Sequence, residues 1–184
     1  MGSSRIYLAT SGIPKEEMWE GLKLSPIYGE EARALERTRN QKIGAALDGG
    51  WYVIVDLSQH LHRQKELLEK LSEKTEVLVG SVEEHVMEAW TACWHKGKKV
   101  WEVKHDFQES DDNLCVEGEP PASFAAIKEE MVKRQEGEED DEVDYYFEIP
   151  VALYQQITGY RYDEQGDFYE FEDRQILKSV QHLG

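Results

Sequence analysis

The sequence predicts an α+β fold, a single mixed domain over residues 1–184 with helices packed on a central, largely antiparallel β-sheet. Three observations predict it. Trp51-Tyr-Val-Ile-Val-Asp-Leu57 is a nearly continuous apolar run, as in a strand covered on both faces. Residues 85–95 and 99–106 flank Lys96-Gly97, a hairpin turn with glycine at its second central position. Residues 59–73 and 121–135 carry apolar side chains at helical spacing. The chain of 184 residues is 40% hydrophobic and 10% aromatic, which excludes a wholly disordered acidic tail and permits a core without disulfides.

In chain order, Arg5–Thr10 reads as a first strand. Ser11-Gly-Ile-Pro14 turns into a helix whose first turn holds Glu16 and Glu17, which complement its positive end, with Met18, Trp19 and Leu22 on the apolar side. Residues 30–47 read as a second helix with a partial stripe of Ala32, Leu35, Ile43, Ala46 and Leu47. Arg33, Arg37 and Arg39 on it would bind an anion, or form a salt-bridged face with Glu30, Glu31 and Glu36. Asp48-Gly-Gly50 ends it, and the strand at 51–57 follows. Ser58 is the expected N-cap of the helix over 59–73, whose stripe is Leu61, Leu68 and Leu71. Glu76–Val82 is another strand. Strand, helix and strand in this span fit a βαβ crossover or an antiparallel return.

In the hairpin, Trp94 is expected to face Lys99, Ala92 to face Trp101, Trp90 to face Val103 and Glu88 to face His105. Trp90, Trp94 and Trp101 would then share one face. Asn113–Glu117 is a short strand, and Pro120-Pro121 starts the helix with Phe124, Ile127 and Met131. Val143, Tyr145, Phe147 and Ile149 alternate with polar positions, as in a half-buried strand. Pro150 opens a short helix that Gly159 closes. Tyr160–Tyr162 and Phe168–Phe171 around Gly166 suggest a second hairpin.

Charge is unevenly placed. The net charge is −17. Residues 1–50 hold 7 basic and 7 acidic residues, residues 51–105 hold 8 and 9, and residues 106–184 hold 6 and 22. The last part therefore carries almost all of the excess, which disfavours nucleic acid through the C-terminal half and disfavours an anionic membrane surface. Its densest run, Glu136-Gly-Glu138-Glu139-Asp140-Asp141-Glu142, reads as a solvated loop or as a docking surface for a basic partner. Neither a membrane span, a secretory signal nor a myristoylation motif is evident, so the protein is expected in the cytosol, with Cys93 and Cys115 as reduced, half-buried thiols.

Candidate chemistry is sparse. His60-Leu-His62 falls at the start of a helix, where the two rings diverge by about 200°. No zinc spacing completes a ligand set, so neither metal nor cofactor is expected. His85, Glu88, His105 and Asp106 form the one acid–base group worth naming; a carboxylate beside His105 would raise its pKa, and would equally make a structural cross-strand pair. There is no GxSxG, GxxxxGK[ST] or GxGxxG. The tryptophans are either core or a partly exposed platform for a ligand or partner.

Trp94–Asp106, Val116–Pro121, Asp144–Pro150 and Thr158–Asp163 together resemble a group of uncharacterised bacterial proteins with no assigned activity, and the resemblance carries over no catalytic residue. In composition alone, the chain is similar to small acidic immunity proteins that neutralise basic toxins. The function expected is a non-enzymatic, cytosolic protein-binding domain whose acidic C-terminal half engages a basic protein partner. Its binding residues are Trp90, Trp94, Trp101, His85, Glu88, His105, Asp106, Glu138, Glu139, Asp140 and Asp141. The alternatives are a small-ligand site or enzyme pocket near His85, His105 and Trp101, and a structural homodimer subunit.

Overall fold

Among the described residues nine strands in one antiparallel sheet form the frame, in the order β2-β9-β3-β4-β1-β5-β6-β7-β8. The computed structural model describes residues 3–36, 42–61, 64–138, 143–163 and 174–180. The strands are β1 (Ser4–Ser11), β2 (Leu24–Ile27), β3 (Lys42–Ala46), β4 (Trp51–Asp56), β5 (Val77–Glu83), β6 (Glu88–His95), β7 (Lys98–Asp106), β8 (Cys115–Gly118) and β9 (Gln175–Ser179). The helices are α1 (Lys15–Gly21), α2 (Gly29–Glu36), α3 (Lys65–Ser72), α4 (Ser123–Glu136) and α5 (Tyr145–Thr158). This is the mixed α+β architecture that the alternating and helical patterns predict.

The sheet is covered on both sides, which explains why β1, β4 and β5 read as continuous apolar runs. On one face Tyr7, Val53, Val55, Leu78 and Val103 pack against α5, with α2 and α4 at the margins. On the other, Ile6, Leu8, Ile54, Val77 and Val79 meet Met18 and Trp19 of α1 and Leu68 and Leu71 of α3. Side chains along each strand alternate between these two layers.

Strands β4 and β5 run the same way but do not touch, because β1 lies between them and pairs antiparallel with both. The connection through α3 therefore straddles β1, a split crossover between parallel strands, so the crossover holds and the antiparallel return does not.

Several boundaries differ from the sequence reading. The helix expected over 30–47 is described over Gly29–Glu36, and Lys42–Ala46 is strand β3 instead of its continuation. Its small residues fit a crowded place: a Cβ on Gly44 would lie 2.1 Å from the Tyr52 hydroxyl. Short apolar runs satisfy either period, and pairing with β4 and β9 decides this one. Helix α3 starts at Lys65 because buried Asp56, not Ser58, organises the preceding segment. The Asp56 carboxylate accepts the N–H groups of Ser58, His60 and Leu61 at 2.8–2.9 Å and pairs with Lys42 at 3.4 Å.

The half-buried strand expected at 143–149 is the first part of α5. Asp144 caps it, accepting the Phe147 N–H at 3.0 Å. Pro150 lies inside this helix, and its carbonyl accepts the buried Thr91 hydroxyl at 2.8 Å, tying α5 to β6. Gly159 ends it in the left-handed conformation, as expected. Strands β2 and β9 were not foreseen. The expected C-terminal hairpin falls largely outside the described residues, but Tyr160 and Tyr162 lie buried after α5 rather than on a strand.

The hairpin register also changes. Trp94 faces Lys99 as expected, but a bulge beside it puts Cys93 opposite Trp101, Trp90 opposite Lys104, Ala89 opposite His105 and Glu88 opposite Asp106. One extra residue on β7 reverses the facing of every side chain beyond it. Trp101 therefore lies on the α5 side, while Trp90 and Trp94 pack on the α3 side.

Candidate functional site

His105 ends the inward row Trp101, Val103 and His105 on β7, and its side chain is fully buried. Its Nδ1 lies 2.6 Å from the Asn113 carbonyl oxygen and its Nε2 2.9 Å from Asp144 Oδ2. A carbonyl and a carboxylate both accept, so this geometry suits a ring that donates from both nitrogens, the imidazolium form. Burial works against that charge, but the bonds to Asp144 and Asn113 and the nearby carboxylates outweigh it and hold the pKa above the ordinary value. Asp144 thus does two things: one oxygen caps α5 and the other anchors β7. Gln135 at the end of α4 joins the same place, accepting the Tyr145 N–H at 2.7 Å and donating to the Val143 carbonyl at 3.1 Å.

These three fixings hold the walls of a cleft of about 660 Å³ lined by Met87, Phe107, Asp111, Asp112, Gln135, Val143, Asp144 and Tyr146. Met87 comes from the β5–β6 turn, and Phe107, Asp111 and Asp112 from the β7–β8 loop that Asn113 ties to His105. Tyr146 stacks on the His105 ring at 6.2 Å. Phe107 is 48% exposed, unusual for a phenyl ring. Asp111 and Asp112 pair with no cation among the described residues; Asp112 accepts only the Ser110 hydroxyl, at 2.8 Å. The Tyr146 pKa is raised by partial burial and then by Asp112, Glu136 and Asp111. The potential that disfavours a phenolate there favours a cation.

The residues singled out in the sequence scatter around this cleft. His105 lies beneath it, sealed from solvent. His85 is exposed and bonds Glu83 at 2.6 Å. Glu88 and Asp106 both hold Lys104, at 2.9 and 3.0 Å. Lys104 draws the Asp106 pKa down. Because Glu88 points to the α3 side and His105 and Trp101 to the α5 side, the pocket imagined around His85, Glu88, His105 and Trp101 is not assembled. Glu138 accepts the Tyr145 hydroxyl at 3.3 Å. Glu139, Asp140 and Asp141 lie outside the described residues, as do Arg37, Arg39 and His62. Both cysteines are free, but neither is half-buried: Cys93 is buried and Cys115 exposed.

Asp144, Tyr146, Phe107, Asp111 and Asp112 were missed. Asp144 carried a usable signal, an N-cap residue before an apolar run, which the alternating pattern obscured. Among the described residues no cluster of three or more His, Cys, Asp or Glu is placed to hold a metal ion. No described helix is long and apolar enough to cross a membrane. Compared with known proteins, the chain matches no family model, no curated protein and no solved structure.

Proposed function

We propose that the protein is a non-enzymatic binding domain of the cytosol whose acidic C-terminal half engages a basic protein partner, in the manner of an inhibitor or immunity factor. The observation that carries this reading is the cleft beside Asp144, where exposed Phe107 and half-buried Tyr146 stand with Asp111 and Asp112, carboxylates that pair with no cation among the described residues. An arginine or lysine side chain fits such a place, its stem against the rings and its charged head between carboxylates. The surrounding excess of acidic residues steers a basic partner toward it and makes association salt-dependent.

The experiment is affinity capture with immobilised wild-type protein and an Asp111→Asn/Asp112→Asn/Phe107→Ala variant, each at low and high ionic strength. The expected result is a basic protein retained by the wild type at low salt, released at high salt and poorly retained by the variant. Capture that ignores salt, or that the variant matches, contradicts the reading.

A further inference from the structure

A second concavity lies on the opposite face of the sheet, with lysines on its rim. Trp90 and Trp94 stand four residues apart on β6, roughly 13 Å along the strand, with the small Ala92 between them. Val79 lies opposite Ala92 on β5, and Leu68 of α3 closes one side. The slot measures about 430 Å³ and is rimmed by Lys65, Lys98 and Lys99 against Glu69 and Glu102. Lys99 is held by Glu102 at 3.2 Å and Glu117 at 2.7 Å, and Lys65 lies 3.6 Å from Glu69. Lys98 is exposed and pairs with no carboxylate among the described residues. The slot is open because α3 is only eight residues long, whereas α4 and α5 line the other face.

We propose that this slot binds a small planar aromatic anion, the ring stacking on Trp94 and the negative group meeting Lys98. Both halves of that ligand follow from the lining. Half-buried indoles offer apolar faces to a ring, and Lys98, on the rim of the slot, pairs with no carboxylate among the described residues, whereas Lys65 and Lys99 are already held by theirs. The volume lies in the range of small-molecule sites, about 300–1,000 Å³. A long polyanion is disfavoured by the net charge of −17, a compact anion of one or two charges far less so. This inference is independent of the acidic cleft, since the two concavities share no residue.

The test is titration of the full chain, by calorimetry and by tryptophan fluorescence, with adenosine monophosphate, indole acetate, adenosine and ribose phosphate. A probe that joins ring and anion is expected to bind at least about tenfold more tightly than adenosine or ribose phosphate. Preference for the monophosphate identifies a nucleotide, and preference for indole acetate an aromatic acid. Trp94→Leu should abolish binding. Lys98→Glu, at an exposed position with no partner to lose, should weaken it about tenfold with the melting temperature unchanged. The proposal is overturned if neither ring-plus-anion probe saturates, if either single-feature probe binds as well, or if Lys98→Glu binds like wild type.

Discussion

Asp144 joins helix capping to a buried charge, and two substitutions separate these roles. Alanine removes both. The lost cap costs about 1 kcal/mol, and leaving His105 without its counter-charge costs about 3–5 kcal/mol, less whatever the ring recovers by losing its proton. A net loss of about 4 kcal/mol in a chain of this size lowers the melting temperature by roughly 8–16 °C. Asparagine still caps α5 and can donate to a neutral His105, whose Nδ1–H still donates to the Asn113 carbonyl. It removes only the ion pair. The sign of the pH dependence follows from the direction of the His105 shift. Its folded pKa lies above the unfolded value of about 6.5, so between the two the folded state holds more protons. The ion pair's contribution is therefore complete below about 6.5 and is lost as pH rises through the folded value, by at most about 1.4 kcal/mol per unit. Urea unfolding from pH 6 to 9 should show the difference between wild type and Asp144→Asn shrinking as pH rises. Parallel curves across that range would refute the imidazolium assignment.

Other expectations follow from the same kind of geometry. Asp56 is fully buried; burial opposes its charge, but Ser58, Lys42 and the N–H groups of Leu61 and His60 prevail and hold its pKa below the usual range. Its contribution is present above the unfolded value of about 3.9 and lost as pH falls through the folded one. Asp56→Asn should therefore cost about 3–5 kcal/mol at neutral pH and flatten the acid limb of the stability profile. A Cβ at Gly80 would lie 2.0 Å from the Tyr7 ring, which Tyr154 backs at 4.6 Å, so Gly80→Ala should destabilise by about 1–3 kcal/mol or more in chemical denaturation. Burial and then Glu76 push the Cys93 thiol up to about 12, whereas Cys115 is exposed, so a thiol reagent should label one cysteine in the native protein and two after unfolding.

The fold was legible where one pattern dominated. The covered strands β1, β4 and β5 announce themselves as apolar runs, and Lys96-Gly97 marks its turn without help from the rest of the chain. Legibility failed where local signals tie. Ile43-Gly-Ala-Ala46 satisfies a helix stripe and a strand equally, and only its place between β4 and β9 settles it. Val143–Ile149 alternates like a strand, yet the Asp144 cap and burial of Phe147, Ile149 and Pro150 make a helix. The bulge beside Trp94 has no local signature, and it alone separates Trp101 and His105 from the side chains expected to join them. His105 could be named from sequence as a histidine seeking a carboxylate. Its true partner lies 39 residues away, at the N-cap of α5, beyond any register argument.

The acidic cleft can be examined directly by mapping backbone amide shifts in the full chain as a short arginine-rich peptide is added at low salt. The proposed role predicts saturable shifts centred on Phe107, Asp111, Asp112 and Tyr146, absent in the Asp111→Asn/Asp112→Asn variant. Shifts spread evenly over residues 106–180, or unchanged in that variant, would show that the charge acts without a site and would contradict it.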